Sequence, residues 1–254
     1  MKTLLKGLKM AISMFSIFPV GKNTWDEEAT NLVMIFFPIV GGIIGVACFL
    51  ASLLISNLYL PSLIKTSFIM ICPLVLSGFL HVDGFMDTCD AIFSRRNIEE
   101  KRRILKDPLV GAFGVIAFGV YLVFCFSSLH TLVLENSGFE FFLFVPVLSR
   151  SLTSIFLLNL KPISSSGYGA TFKKDTNKKH TFVLLIFTII SVLIGVFLLG
   201  IDGLIISALV IIFGVVFCFY SYRQLDGISG DLCGFIITLS ELFGYLSISI
   251  LMTR

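Results

Sequence analysis

Uninterrupted apolar stretches of about 20 residues recur along this chain, and a stretch of that length is what an α-helix needs to cross a bilayer. Seven are read, at roughly 32–56, 62–81, 109–133, 140–160, 181–200, 203–222 and 232–251. The composition agrees. Of 254 residues, 56% are hydrophobic and 14% charged, where a soluble domain carries about 25% charge. Mean hydropathy is +0.99. A helical bundle fits better than a membrane β-barrel, whose strands alternate in polarity over segments of about 10 residues. The expected fold is all-α: a polytopic membrane bundle of about seven spans in a single domain, 1–254. Pro38, Pro73 and Pro146 fall inside spans, where neighbouring helices satisfy the carbonyls a proline frees. Around Pro73 and Gly78 a break or re-entrant bend is expected rather than a simple span.

Residues 1–20 interleave Lys2, Lys6 and Lys9 with apolar residues, and no A-x-A cleavage site follows. They read as an amphipathic helix lying in the interface, lysines toward headgroups. The six cysteines, Cys48, Cys72, Cys89, Cys125, Cys218 and Cys233, include no CxxC pair and read as small buried hydrophobes. The net charge of +3 is small and gives no sign of a nucleic-acid partner; the partner implied is the lipid bilayer.

The distribution of cations orients the bundle. Lys22 and the N-terminal lysines precede the first span. Arg95, Arg96, Lys101, Arg102, Arg103 and Lys106 follow the second. Lys161, Lys173, Lys174, Lys178 and Lys179 follow the fourth, and Arg223 the sixth. Sixteen of nineteen Lys and Arg thus lie in alternate loops. By the positive-inside rule those loops and the N-terminus are cytoplasmic and the C-terminus is outside. Lys65, Arg150 and Arg254 are the exceptions. The polar segments 82–108, 161–180 and 223–231 then share the cytoplasmic face of a bacterial or archaeal inner (plasma) membrane.

Chemistry concentrates in Asp83-Gly84-Phe85-Met86-Asp87-Thr88-Cys89-Asp90-Ala91. Spaced by four and three, Asp83, Asp87 and Asp90 share a helix face about 60° wide. Three like charges beside a bilayer are expensive unless compensated. Carboxylates so arranged suit Mg²⁺, which combines them with substrate phosphates and retained waters. Gly84 permits close backbone approach, and Thr88 either meets a phosphate or caps locally. His81 points off the Asp face and reads as structural. Residues 95–106 read as an interfacial basic segment. Lys106, with Asp107 beside it, is placed to meet a phosphate arriving at the acids, or else snorkels. Arg150 and Glu241, both inside spans, either pair with each other or orient substrate. Asp231 lies in a second glycine-rich turn, Gly227 to Gly234. The loop from Ser164 to Ala170 is serine- and glycine-rich, and its lysine-rich surroundings attract anions.

In order and spacing these segments resemble the cobalamin (5′-phosphate) synthase family, also called adenosylcobinamide-GDP ribazoletransferases. The resemblance rests on His81-Val82-Asp83-Gly84 with Asp87-Thr88-Cys89-Asp90, and on Lys106-Asp107 before Gly111-x-Phe113-Gly114. It rests also on Lys161-Pro162 with Gly167-x-Gly169, and on Gly230-Asp231-x-x-Gly234 with Glu241 downstream. Phe37-Pro38 with Gly41-x-x-x-Gly45 fits too. Ala91 departs from the family's glycine. The resemblance implies a Mg²⁺-dependent transferase joining adenosylcobinamide-GDP to α-ribazole or its 5′-phosphate, with release of GMP. It implies Asp83 and Asp87 as metal ligands and Asp90 as third ligand or general base. Gly84, Thr88, Lys106, Asp107, Arg150, Asp231 and Glu241 are then the substrate-binding candidates. Self-association, or association with other cobamide-assembly enzymes, stays open. A CDP-alcohol phosphotransferase of lipid synthesis is the alternative, but Met86-Asp87 stands where its motif needs Ala-Arg. A non-catalytic transporter is disfavoured because acids and bases gather at one face and no inverted repeat is visible.

Overall fold

The computed structural model describes residues 2–21, 25–164, 168–174 and 176–253. The expectations at Lys22, at Ser165, Ser166 and Gly167, and at Arg254 lie outside the described residues. The architecture is helical, with one isolated parallel bridge, Pro162 to Ile228, among the described residues.

Helix α1 (Lys2–Phe15) is amphipathic and buries Gly7, Met10 and Ala11 against the next segments. Lys6 Nζ donates to Asp26 Oδ2 at 2.6 Å, tying α1 to the 3-10 turn Glu27–Leu32. Helix α2 (Val33–Ser56) carries Pro38 without interruption. Helix α3 (Ser62–Leu76) ends where Gly78 and Phe79 take left-handed φ values of 63° and 60°. Helix α4 (Leu80–Phe93) then leaves at 87° to α3. The expected span 62–81 is therefore broken, at the place where Pro73 and Gly78 made a break expected. The acidic segment is not a loop after a span but the bent-away helix itself.

The basic segment forms α5 (Ile98–Ile104), capped by the Asn97 side chain accepting from Glu100 N–H. Helix α6 (Ala112–Glu135) follows. A 3-10 turn, Phe139–Leu143, leads into α7 (Val145–Asn159). Pro146 stands in the first turn of α7, so it starts a helix instead of kinking one. After the short α8 (Tyr168–Lys173), α9 (Lys178–Leu225) is the longest element. It is not straight. Gly200 has φ 59° and ψ −131°, and a Cβ on Gly203 would overlap the Gly195 carbonyl. The chain doubles back there as two antiparallel helices. Helix α10 (Gly230–Met252) starts at Ser229, whose hydroxyl accepts from Leu232 N–H.

Among the described residues five helices are long and apolar enough to cross a membrane, and the bent α3–α4 pair makes a sixth if taken as one span. The expected seven is reached only if the two arms of α9 are also counted separately. Helices α7 and α10 are mostly buried and form the centre. Helix α9 turns Phe182, Ile189, Leu193 and Phe197 outward, as lipid-facing residues should be. Lipid gives apolar helices little reason to associate, so close approach matters. Gly41 and Gly45 supply it by seating α2 on the Pro146 and Phe142 carbonyls of α7 and its preceding turn.

Candidate active site

Helices α4 and α10 cross at two glycines. A Cβ on Gly84 would lie 2.8 Å from Asp231 Cα, and one on Gly234 would lie 2.7 Å from the His81 carbonyl. This contact brings Asp231, in the first turn of α10, to the acid face of α4. The charges of Asp83, Asp231 and Asp90 all bear on Asp87. Asp83 is exposed and Asp87 half-buried.

Asp90 has a separate task. Its Oδ2 accepts from Gly111 N–H at 2.8 Å and its Oδ1 from Gly114 N–H at 2.9 Å. The carboxylate therefore caps the start of α6, where amides lack helical partners and the dipole favours an anion. Both glycines are needed for that approach, since a Cβ on either would run into the carboxylate. The helical phase shared by the three acids is real, but Asp90 is buried and both of its oxygens are engaged. Among the described residues no three His, Cys, Asp or Glu side chains form a ready-made metal centre.

Two cavities meet at Asp231. The larger, about 400 Å³, is lined mainly by apolar residues from α1, α2, α7, α8 and α10, with His81, Asp83, Asp231 and the Cys233 thiol the ionisable groups among the described residues. The smaller, about 240 Å³, is lined by Arg102, Lys106, Ser164 and Ser229 among others. Gly169, Gly230 and Asp231 border both. The loops behind the small cavity are laced together. Ile163 N–H donates to the Ile228 carbonyl and Ile228 N–H to the Lys161 carbonyl, each at 2.9 Å. Arg102 Nε donates to the Leu225 carbonyl at 2.9 Å and Arg102 Nη2 to that of Asp226 at 2.8 Å. Lys161 and Arg102 beside Asp226 hold its carboxyl below the usual carboxylate value. Lys101 is buried against Gln224. Helix α5 is thus docked on the end of α9 through two of its cations.

The remaining candidates separate into groups. Gly84 makes the helix crossing, and Lys106 lines the small cavity. Asp107 accepts from Leu109 N–H at 3.0 Å and shapes the turn into α6. Thr88 is wholly buried with its hydroxyl unpartnered among the described residues, so it does not face an arriving phosphate. Arg150 and Glu241 resolve as a pair. Arg150 Nη1 to Glu241 Oε1 is 2.6 Å, Ser149 Oγ donates to the same oxygen at 2.6 Å, and both side chains are buried. They lie outside both cavities and hold α7 to α10.

Two residues lining these cavities were not among the site candidates. His81 lines the large cavity, because α4 starts at Leu80 and carries it down the inner side of the helix. Its place two residues before Asp83 was the available signal. Arg102 was hidden in a cluster of six cations, with nothing to single it out.

The description cobalamin-5-phosphate synthase matches residues 7–249. A protein of Clostridium botulinum (strain Alaska E43 / Type E3) named adenosylcobinamide-GDP ribazoletransferase is 39% identical, over 97% of this chain and 98% of its own. Proteins of the same name from Clostridium perfringens (strain SM101 / Type A) and Lachnoclostridium phytofermentans are 35% and 31% identical, covering 99% and 97% of this chain and 100% and 94% of theirs. No solved structure matches.

Proposed function

The chain belongs to the cobalamin-5-phosphate synthase family, and we propose that it acts as an adenosylcobinamide-GDP ribazoletransferase, as its relatives are named. In this reaction the 3′-hydroxyl of α-ribazole, or of its 5′-phosphate, attacks the phosphorus on the cobinamide side of adenosylcobinamide-GDP. A new phosphodiester forms, the bond from that phosphorus to the bridging oxygen breaks, and its electron pair leaves with GMP. The hydroxyl proton passes to a carboxylate.

The observation that supports this reading is the wall at Asp231, with acids on one side and Arg102 and Lys106 on the other. Lys106 and Arg102 suit the diphosphate end of the donor, as cations that bind and orient it. Asp83 and Asp87 suit a metal. They offer oxygen donors only, one helical turn apart, and unlike Asp90 they carry no capping bonds. Two carboxylates completed by substrate phosphate and water are the usual Mg²⁺ arrangement. When bound, Mg²⁺ would neutralise charge developing on the leaving phosphate. Asp231, half-buried at the shared wall, is the carboxylate best placed to orient the attacking hydroxyl and take its proton. Asp90 then acts through position, fixing α4 against α6. The laced loops, rich in lysine and arginine, are assigned to the cytoplasmic side, where nucleotide-activated donor is made.

The test is GMP release by the purified protein in detergent with Mg²⁺, adenosylcobinamide-GDP and α-ribazole. Asp83→Asn and Asp87→Asn should each abolish release and leave membrane insertion normal. No GMP from folded wild-type protein, or near-normal turnover in both variants, would overturn the reading.

A further inference from the structure

We infer that the large apolar cavity is the seat of the acceptor's aromatic nitrogen heterocycle, and that His81 Nε2 is the polar group that reads its ring nitrogen. This rests on the function proposed above and assigns one of its two substrates to a place.

Phe15, Phe37 and Phe172 supply aromatic wall, and Met14 and Met34 supply deformable sulfur-bearing surface. Such a lining favours a flat aromatic ring over a sugar or a phosphate. At about 400 Å³ it falls at the lower end of the roughly 300–1,000 Å³ typical of small-molecule pockets. That holds a bicyclic base and is too small for a corrin macrocycle with its side chains. In this apolar chamber His81 is 7% exposed, and its Nε2 is buried without a hydrogen-bond partner among the described residues. A buried polar atom is ordinarily satisfied, and His81 is one of the residues lining this cavity, so its orphan nitrogen points to a partner that arrives with the ligand. Phe37 stands edge-on to the imidazole, with ring centroids 5.7 Å apart, and braces it. A neutral imidazole has one donor and one acceptor nitrogen, so it matches the one unsubstituted nitrogen of a ribosylated benzimidazole or a related base.

The surroundings disfavour the diphosphate of the other substrate. Asp83 and Asp231 are the only charged groups lining the cavity among the described residues, so its wall offers a phosphate no cationic side chain. The cations that attract phosphate line the neighbouring cavity. A base seated against His81 leaves its ribose at the acids, beside the wall the donor's diphosphate approaches from the other side.

The test uses direct binding and turnover together. Benzimidazole alone is the binding probe, by equilibrium dialysis of full-length protein in detergent, with indene as the isostere lacking ring nitrogen. Wild type should bind benzimidazole about tenfold more tightly than His81→Leu does, the size expected for one buried hydrogen bond, and indene equally in both. In turnover, His81→Leu should raise KM for α-ribazole about tenfold and leave KM for adenosylcobinamide-GDP unchanged. His81→Gln should recover part of the loss. Met14→Trp, which fills the cavity from α1, should also raise the acceptor KM and provides a check that leaves α4 intact. Equal benzimidazole binding by wild type and His81→Leu, or an unchanged acceptor KM in both His81→Leu and Met14→Trp, would overturn the assignment. If benzimidazole binds as expected but no GMP is ever released, the proposed reaction fails while the heterocycle seat stands.

Discussion

Gly84→Ala tests the helix crossing that unites the site, and its size follows from the structure. The new methyl would sit 2.8 Å from Asp231 Cα and 2.9 Å from the Asp231 carbonyl oxygen. Both are backbone atoms in a helix, so no side chain can swing aside. Restoring ordinary contact of about 3.4 Å requires α4 and α10 to part by about 0.6 Å. Overpacking of this kind costs about 1–3 kcal/mol, which a bundle of this size tolerates with its fold intact. Function is more exposed. The displacement separates Asp83 and Asp87 from Asp231, and misplacing reacting groups by about 1 Å can cost about 100-fold in rate. We expect kcat for GMP release to fall about 10- to 100-fold, with a modest drop in melting temperature in detergent. Gly119→Ala is the control, because a Cβ there meets nothing within 4 Å on the lipid-facing side of α6. It should be neutral or slightly stabilising, as Ala outranks Gly in a helix by about 1 kcal/mol. Wild-type kcat in Gly84→Ala, or an equal loss in Gly119→Ala, would refute the reasoning.

Three further expectations follow from contacts described above. Glu241→Leu strands a buried guanidinium and should destabilise by about 3–5 kcal/mol. The double variant Arg150→Met/Glu241→Leu should recover most of that loss in denaturation midpoints, and a strictly additive double variant would contradict the pairing. Asp90→Ala should cost about 1–3 kcal/mol through the two freed α6 amides and should speed hydrogen exchange at Gly111 and Gly114. Its activity should nonetheless exceed that of Asp83→Asn, and the reverse order would return Asp90 to the chemistry. The Lys161–Asp226–Arg102 contact should be indifferent to pH from about 8 to 5, because its folded carboxyl lies below the ordinary 3.8. A group lowered on folding stabilises above its unfolded value and loses that effect as pH falls through its folded one. Exchange at Ile163 and Ile228 should therefore rise only in strong acid, and a rise near pH 6 would point to another group.

Much of the fold was legible because a bilayer narrows the options to helices of one length. The break at Pro73 and Gly78 was readable, since successive left-handed residues end a helix. The bend near Gly200 was readable too, in the interruption between the stretches 181–200 and 203–222. What the period could not tell was which face meets which neighbour. The spacing of Asp83, Asp87 and Asp90 correctly set their common direction. Only packing against α6 reveals that Asp90 is occupied by Gly111 and Gly114. Arg150 and Glu241 are 91 positions apart, so nothing local could choose between pairing and substrate contact. Thr88 and His81 show the same limit. One turns into solid core and the other into a chamber, and helical phase does not distinguish the two.

The sharp turn at Ser77 to Phe79 has a consequence for the lipid around the protein. Helix α3 has 15 residues, which rise about 22 Å at 1.5 Å each, against a hydrocarbon core of about 30 Å. Because α4 turns away at 87°, local thinning of the leaflet is the way left to meet the shortfall of ~8 Å if α3 crosses the bilayer. Such thinning would draw water and headgroups inward beside Asp83 and spare the acids dry hydrocarbon. Bilayer thickness becomes a determinant of how deep a substrate must descend, and acyl-chain length a variable the catalytic helix feels directly.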